Sequence, residues 1–274
     1  MPDMKEETSP AWAKPCAWFI DYLTQVESFI ALTGKGLYPL TQVPDWLETA
    51  IRIDSSIIDQ HELRLNQAMK TANLAKSEIA NDFPLLRSHS IMGIWGALEA
   101  MIEDLAIAWM EQNPSILDGP KIAKIRIPFV EFQRLDQQER LRFLVTELQR
   151  ELGVELKSGA TKFESLLGAL GLGGPVDERV RNILFETQNL RNVIAHRGGI
   201  ADRRFVTNCP HLKYSVGDAV RINGDSFQKI MSGLLMYGAT ILNRCRAIAG
   251  INQITEEIEG FEGALSFPDQ HRSS

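Results

Sequence analysis

The chain has 274 residues, with 29 lysines and arginines against 35 aspartates and glutamates, for a formal net charge of −6. Hydrophobic residues make up 44 % and charged residues 23 %, ordinary globular usage that excludes wholesale disorder and fibrous repeats. The acidic balance argues against a general nucleic-acid coat but leaves room for one local basic site.

Helical periodicity dominates the chain from its start. Residues 16–33 carry a short apolar stripe that includes Trp18, Phe19, Tyr22, Val26 and Phe29. Gly34, Gly36, Pro39 and Pro44 predict a loop after it. Asp45 followed by Glu48 predicts a capping-box start. From there a heptad seam (Leu47, Ile51, Ile58, Leu65, Ala72, Ile79) predicts one long helix over 45–82. Asp54 and His61 sit inside that seam as polar, register-setting positions. A second long helix is expected over 85–112, with Ile91, Trp95, Leu98, Ile102, Leu105 and Trp109 on its stripe.

Further helices are expected over 135–152, 161–170 and 176–196. The last of these has Val180, Ile183, Leu184, Leu190 and Ile194 on one face and stops at Gly198-Gly199. Residues 197–225 read as a loop with one small β-hairpin, Lys213–Val216 and Ala219–Asn223 around a Gly217-Asp218 turn. Asp225 with Gln228 predicts the start of a final amphipathic helix over 226–249. The acidic tail, 251–274, is expected to be loosely held. The fold class is all-α, divided into an N-terminal helical region, 1–82, and a helical bundle, 84–250.

Three cysteines, Cys16, Cys209 and Cys245, do not make a disulfide framework and suit a reducing, cytoplasmic compartment. The acidic N-terminus is not that of a signal peptide, and the most apolar stretches are too short or too charged to span a bilayer. No membrane partner is expected. Gly34-Lys35-Gly36 and the glycines of 168–174 lack the context of phosphate or dinucleotide loops. Cys209 and His211 have no second pair at zinc spacing, so no metal or other cofactor is expected.

One segment carries chemistry: Leu190-Arg191-Asn192-Val193-Ile194-Ala195-His196-Arg197-Gly198-Gly199. Arg191 and His196 are separated by four residues near a helix end, and Asn192 lies one turn before His196. The helix C-terminus favours a cationic imidazole. Between 179 and 204 six arginines face Glu186 and Asp202, a local balance of +4 that suits phosphate. With 18 arginines and 5 histidines, about one Arg-x(4–6)-His arises from composition alone. A second instance, Arg204 and His211, does exist. The helix-end placement, the adjacent Asn and the basic surroundings therefore carry the reading, and not the bare spacing.

A bundle whose penultimate helix ends in Arg-Asn-x-x-x-His, followed by a polar loop and a final amphipathic helix, resembles the HEPN superfamily over roughly residues 85–250. That resemblance implies a metal-independent endoribonuclease of the toxin–antitoxin or anti-phage type. It implies a homodimer in which two motifs line one cleft, with RNA as substrate and an antitoxin or sensor protein as a further partner. Arg191, Asn192 and His196 would be catalytic, with Arg197, Arg203 and Arg204 holding phosphate. Members without the motif are non-catalytic interaction modules, the alternative expectation here. In that alternative Arg191 is structural, paired with Glu99 or Glu103.

The implied chemistry suits these residue types. The ribose 2′-hydroxyl attacks the adjacent phosphorus and leaves a 2′,3′-cyclic phosphate. Imidazole titrates near neutrality and transfers protons, and guanidinium presents a bidentate fork to phosphate. DNA lacks the attacking hydroxyl. On a regular helix Arg191 and His196 point about 140° apart, so their meeting requires the helix to end at the motif or a second copy to complete the site.

Overall fold

A computed structural model describes residues 10–53, 58–256, 258, 260 and 261, without the side chains of 58–61. The fold is all-α. Its helices are α1 (Ala13–Leu40), α2 (Val43–Ile53), α3 (Ile58–Ala80), α4 (Pro84–Gln112), α5 (Phe129–Arg134), α6 (Gln137–Glu151), α7 (Ala160–Ala169), α8 (Glu178–Arg197), α9 (Arg203–Asn208) and α10 (Gly224–Ile248). Short 3-10 turns include Val154–Leu156 and Pro210–Leu212.

Helix α4 is the centre of the molecule. Every residue of its predicted stripe is buried, and so are Met101, Ala106, Ile107 and Met110 on its other sides. A helix apolar round most of its circumference must be covered on several faces. α1, α6 and α8 pack against it, and α10 packs against α8 and α1. Trp95, Phe163 and Tyr237 pack ring against ring in tilted pairs where α4, α7 and α10 meet.

Several expectations need correction. The loop expected at Gly34, Gly36 and Pro39 is helical, because α1 runs on to Leu40. Packing overrides the local signal there: Gly34 leaves room for the Phe83 ring, and Pro39 falls in the last turn, where it sacrifices one helical hydrogen bond. The helix expected over 45–82 is two helices, α2 and α3, which pack against each other. Asp54 and the side chain of His61 lie outside the described residues. The boundary expected near residue 82 falls between α3 and α4. Trp12, Cys16, Phe19, Leu23 and Ile30 of the N-terminal region belong to the same buried cluster as α4, α8 and α10.

No strand forms among the described residues, so the β-hairpin is absent there. Its second arm pairs elsewhere. The amides of Val220 and Gly217 donate to the carbonyls of Gly199 and Ala201, and Ala201 N–H donates to Asp218. The two arms touch through the Tyr214 hydroxyl, which donates to the Arg221 carbonyl at 2.9 Å. Lys213, at φ 58, breaks the first arm. Two described residues of the tail, Ile254 and Phe261, are held by the bundle. Asn243 brackets the backbone of Ile254 with two hydrogen bonds, and Phe261 is buried beneath the Arg179 guanidinium. Residues 262–274 lie outside the described residues.

Candidate active site

Helix α8 begins at Asp177, whose carboxylate accepts the Arg179 amide, and ends at Gly198. Gly198 and Gly199 both take left-handed backbone, φ 60 and φ 77, and the Gly199 amide closes back on the Val193 carbonyl. Glycine adopts that conformation without a Cβ penalty, so the pair fixes where the helix stops. The helix therefore runs through the whole motif and ends one residue after His196.

The three motif side chains nevertheless meet. Arg191 Nη1 donates to Asn192 Oδ1 at 3.1 Å and lies 3.4 Å from His196 Nε2. The length of the arginine stem bridges the angular gap that regular helix geometry predicts. Arg191 is half-buried, His196 is exposed, and no carboxylate pairs with Arg191 among the described residues. Its Nη2 and Nε are left without a protein acceptor there. A guanidinium can only donate, so contact with Nε2 requires the imidazole tautomer with its proton on Nδ1.

Glu99 and Glu103, the expected acidic partners of Arg191, and their neighbour Asp104 on α4 are engaged elsewhere. Glu99 pairs with Lys162, Glu103 accepts from Gln149 at 3.1 Å, and Asp104 pairs with Arg142 at 3.6 Å. Only Asp104 takes an arginine.

Asn192 and His196 line a cleft of about 480 Å³. Its floor is one stripe of α8 that also holds Phe185, Gln188 and Asn189. The segment Glu155–Ser158 forms one wall, and α9 with Arg204, Phe205 and Asn208 forms the other. Arg197 and Arg204 line this cleft, whereas Arg203 is exposed outside it. Arg197 pairs with Asp202 at 3.3 Å. The same Asp202 caps α9 by accepting the Phe205 amide at 2.8 Å. That amide first, and the Arg197 charge with it, holds the Asp202 carboxyl below the usual aspartate range.

The run of arginines does not form one patch. Arg179 lies about 25 Å along the helix from His196, where it binds Asp177, Gly260 and Phe261. The second Arg-x(4–6)-His instance also separates. His211 turns to Glu186, a carboxylate 5 % exposed that accepts from His211 Nε2 at 2.9 Å and from Lys229 at 3.4 Å. Burial, and then the Glu186 charge, push the neighbouring Cys209 thiol up to about 11.

Sequence reasoning missed Gln188, Asn189, Asn208, Lys157 and Ser158, all lining the cleft. The spacing of Phe185, Gln188, Asn192 and His196 at i, i+3, i+7 and i+11 is a helical stripe and was available as a signal. Asn208 offers no such signal, because the six residues of α9 are too few to show a helical period.

Comparison with known proteins finds no matching family model, no matching curated protein and no matching solved structure. Among the described residues no helix is long and apolar enough to cross a membrane, and no three His, Cys, Asp or Glu side chains gather as a metal site.

Proposed function

We propose that the chain is a HEPN-like, metal-independent endoribonuclease acting as a toxin or anti-phage effector. The observation that carries this reading is the Arg191–Asn192–His196 cluster, in which no described carboxylate pairs with Arg191 and in which Asn192 and His196 line a polar cleft. Arg191 presents the Nη2/Nε edge of its fork to a phosphate oxygen, and Asn192 holds the other side of the guanidinium. When Arg191 turns to the phosphate it releases His196, whose freed Nε2 lone pair takes the proton from the ribose 2′-hydroxyl. The 2′-oxygen then bonds to phosphorus, and the bond to the 5′-oxygen breaks. That oxygen leaves with a proton, and a 2′,3′-cyclic phosphate remains. Arg197, Arg203 and Arg204 supply further positive charge along the strand. In a homodimer the motif of a second copy supplies the acid, with an antitoxin or sensor as the controlling partner.

The test is cleavage of end-labelled single-stranded RNA in EDTA by the full chain. Cyclic-phosphate ends are expected, an all-deoxy strand should stay intact, and His196→Ala should slow cutting by about 10²–10⁴-fold. Equal activity in the variant removes the site assignment. Growth arrest on expression, relieved by His196→Ala, tests the toxin role.

One observation favours a second reading, a non-catalytic interaction module. Trp18, Phe29 and Leu32 are exposed along one side of α1, apolar surface of the kind that binds partners. Under that reading no RNA is cut at any protein concentration.

A further inference from the structure

Three side-chain amides of the cleft are oriented by groups whose hydrogen-bonding role is fixed. Gly159 N–H donates to Gln188 Oε1 at 2.6 Å. A backbone N–H can only donate, so the oxygen of Gln188 must face Gly159 and its Nε2 must face away. Arg191 likewise takes the Asn192 oxygen, which frees Asn192 Nδ2. Asn208 is turned the opposite way. Its Nδ2 donates to Asn189 Oδ1 at 2.8 Å, and Asn189 Nδ2 donates in turn to the Phe185 carbonyl at 2.8 Å. Asn208 is thus left with its oxygen. None of these remaining amide atoms has a protein partner among the described residues. Gln188 and Asn192 are one turn apart on α8 and both line the cleft, so their two free N–H donor groups belong to one helix face.

We propose that this cleft is a nucleobase pocket selective for a keto edge, that of uracil or guanine, on a nucleotide beside the scissile phosphate. The inference rests on the nuclease reading for its placement next to Arg191 and His196. The keto edge pairs a carbonyl oxygen with an adjacent N–H. The carbonyl meets the donors of Gln188 and Asn192, and the N–H meets Asn208 Oδ1. Cytosine and adenine reverse the pattern, with an amino donor where the carbonyl would stand, and would face donor with donor. Phe185, half-buried at the inner end of the stripe, offers a π-face for stacking. It lies about 16 Å along α8 from His196, room for a nucleotide between the two.

The experiment separates base reading from cutting. Full-length protein is titrated with fluorescent oligomers of deoxyuridine and of deoxycytidine, which the 2′-hydroxyl route cannot cleave, and cutting of RNA in EDTA is scored in parallel. Deoxyuridine oligomers should bind about tenfold or more tightly than deoxycytidine oligomers. Gln188→Glu keeps an oxygen for Gly159 and replaces the free donor with an acceptor. It should reduce the ratio toward one or invert it, while thermal stability stays at the wild-type value. The ratio within one variant cancels the general loss from the added negative charge. Equal binding of the two oligomers, a ratio unchanged in Gln188→Glu, or no binding of either overturns the pocket. Cutting without base preference overturns the pocket and leaves the nuclease standing. Preferential binding without cutting does the reverse.

Discussion

At the scale of single residues, the chemistry of the cleft depends on which partner each charge has already taken. Arg191 is useful to a phosphate because, among the described residues, its hydrogen-bond partners are an amide oxygen and an imidazole nitrogen. Asn192→Asp places a carboxylate in the amide's position and turns a weak neutral contact into an ion pair. RNA cutting should then fall by about 10²-fold or more, with thermal stability unchanged or slightly raised, as initial rates and melting curves can check. Arg244 is the opposite case. It is 9 % exposed, pairs with Glu164 at 2.9 Å and donates to the carbonyls of Leu172 and Pro175. Glu164 also accepts from the buried Tyr237 hydroxyl at 2.9 Å. Glu164→Ala leaves that guanidinium buried and without its carboxylate, at a cost of about 3–5 kcal/mol. Tyr237→Phe removes one hydrogen bond from the same carboxylate and should cost about 1 kcal/mol. Urea unfolding of the two variants distinguishes these values.

At the scale of elements, the corner between α8 and α9 sets the width of the cleft. Gly198 ends α8 in left-handed backbone, and Asp202 ties the last residue of α8 to the first turn of α9. Gly198→Ala should cost about 1–2 kcal/mol by forcing a Cβ into that conformation. Asp202→Asn keeps a capping oxygen and loses the ion pair, whereas Asp202→Ala loses both. A larger loss in the alanine variant shows that the cap, more than the charge, holds the wall. The long helices of this region were legible in the sequence because their apolar residues repeat every three or four positions over many turns. α9 was not, since six residues contain too few turns to reveal a period. The pairing of Gly199–Ala201 with 217–220 was not legible either. It draws the second arm of the expected hairpin to a segment nearly twenty residues away, and no local pattern announces it. The motif residues could be named as candidates from their helix-end placement beside an Asn in basic surroundings. The contact between Arg191 and His196 could not, because ideal helix angles ignore the reach of an arginine side chain.

At the scale of the whole molecule, the N-terminal region and the bundle share one interior. Phe19 on α1 is fully buried and meets the open face of Gly238 on α10. Phe19→Ala should therefore destabilise the entire fold by about 3–5 kcal/mol, in one unfolding transition and not as a separate early step. The same shared interior dictates the response to alkali. Cys16 on α1 and Cys245 on α10 are both buried, and burial pushes each thiol up to about 12 from an ordinary 9.0. Tyr237 is raised well above 10.0, by burial first and then by the Glu164 charge. All three shifts have the same sign. Once the pH passes 9 the unfolded chain loses thiol protons that the folded chain retains, and above 10 it loses the tyrosine proton as well. The unfolded state then binds fewer protons, so stability falls as pH rises. The contribution is intact through neutrality and lost between about pH 9 and 12. Melting temperatures should hold steady up to about pH 9 and then decline steeply. Cys16→Ala lowers the plateau by leaving a small cavity, but it removes one titrating group and should make the decline shallower. An unchanged slope in that variant would mean that the Cys16 thiol does not couple folding to alkaline pH.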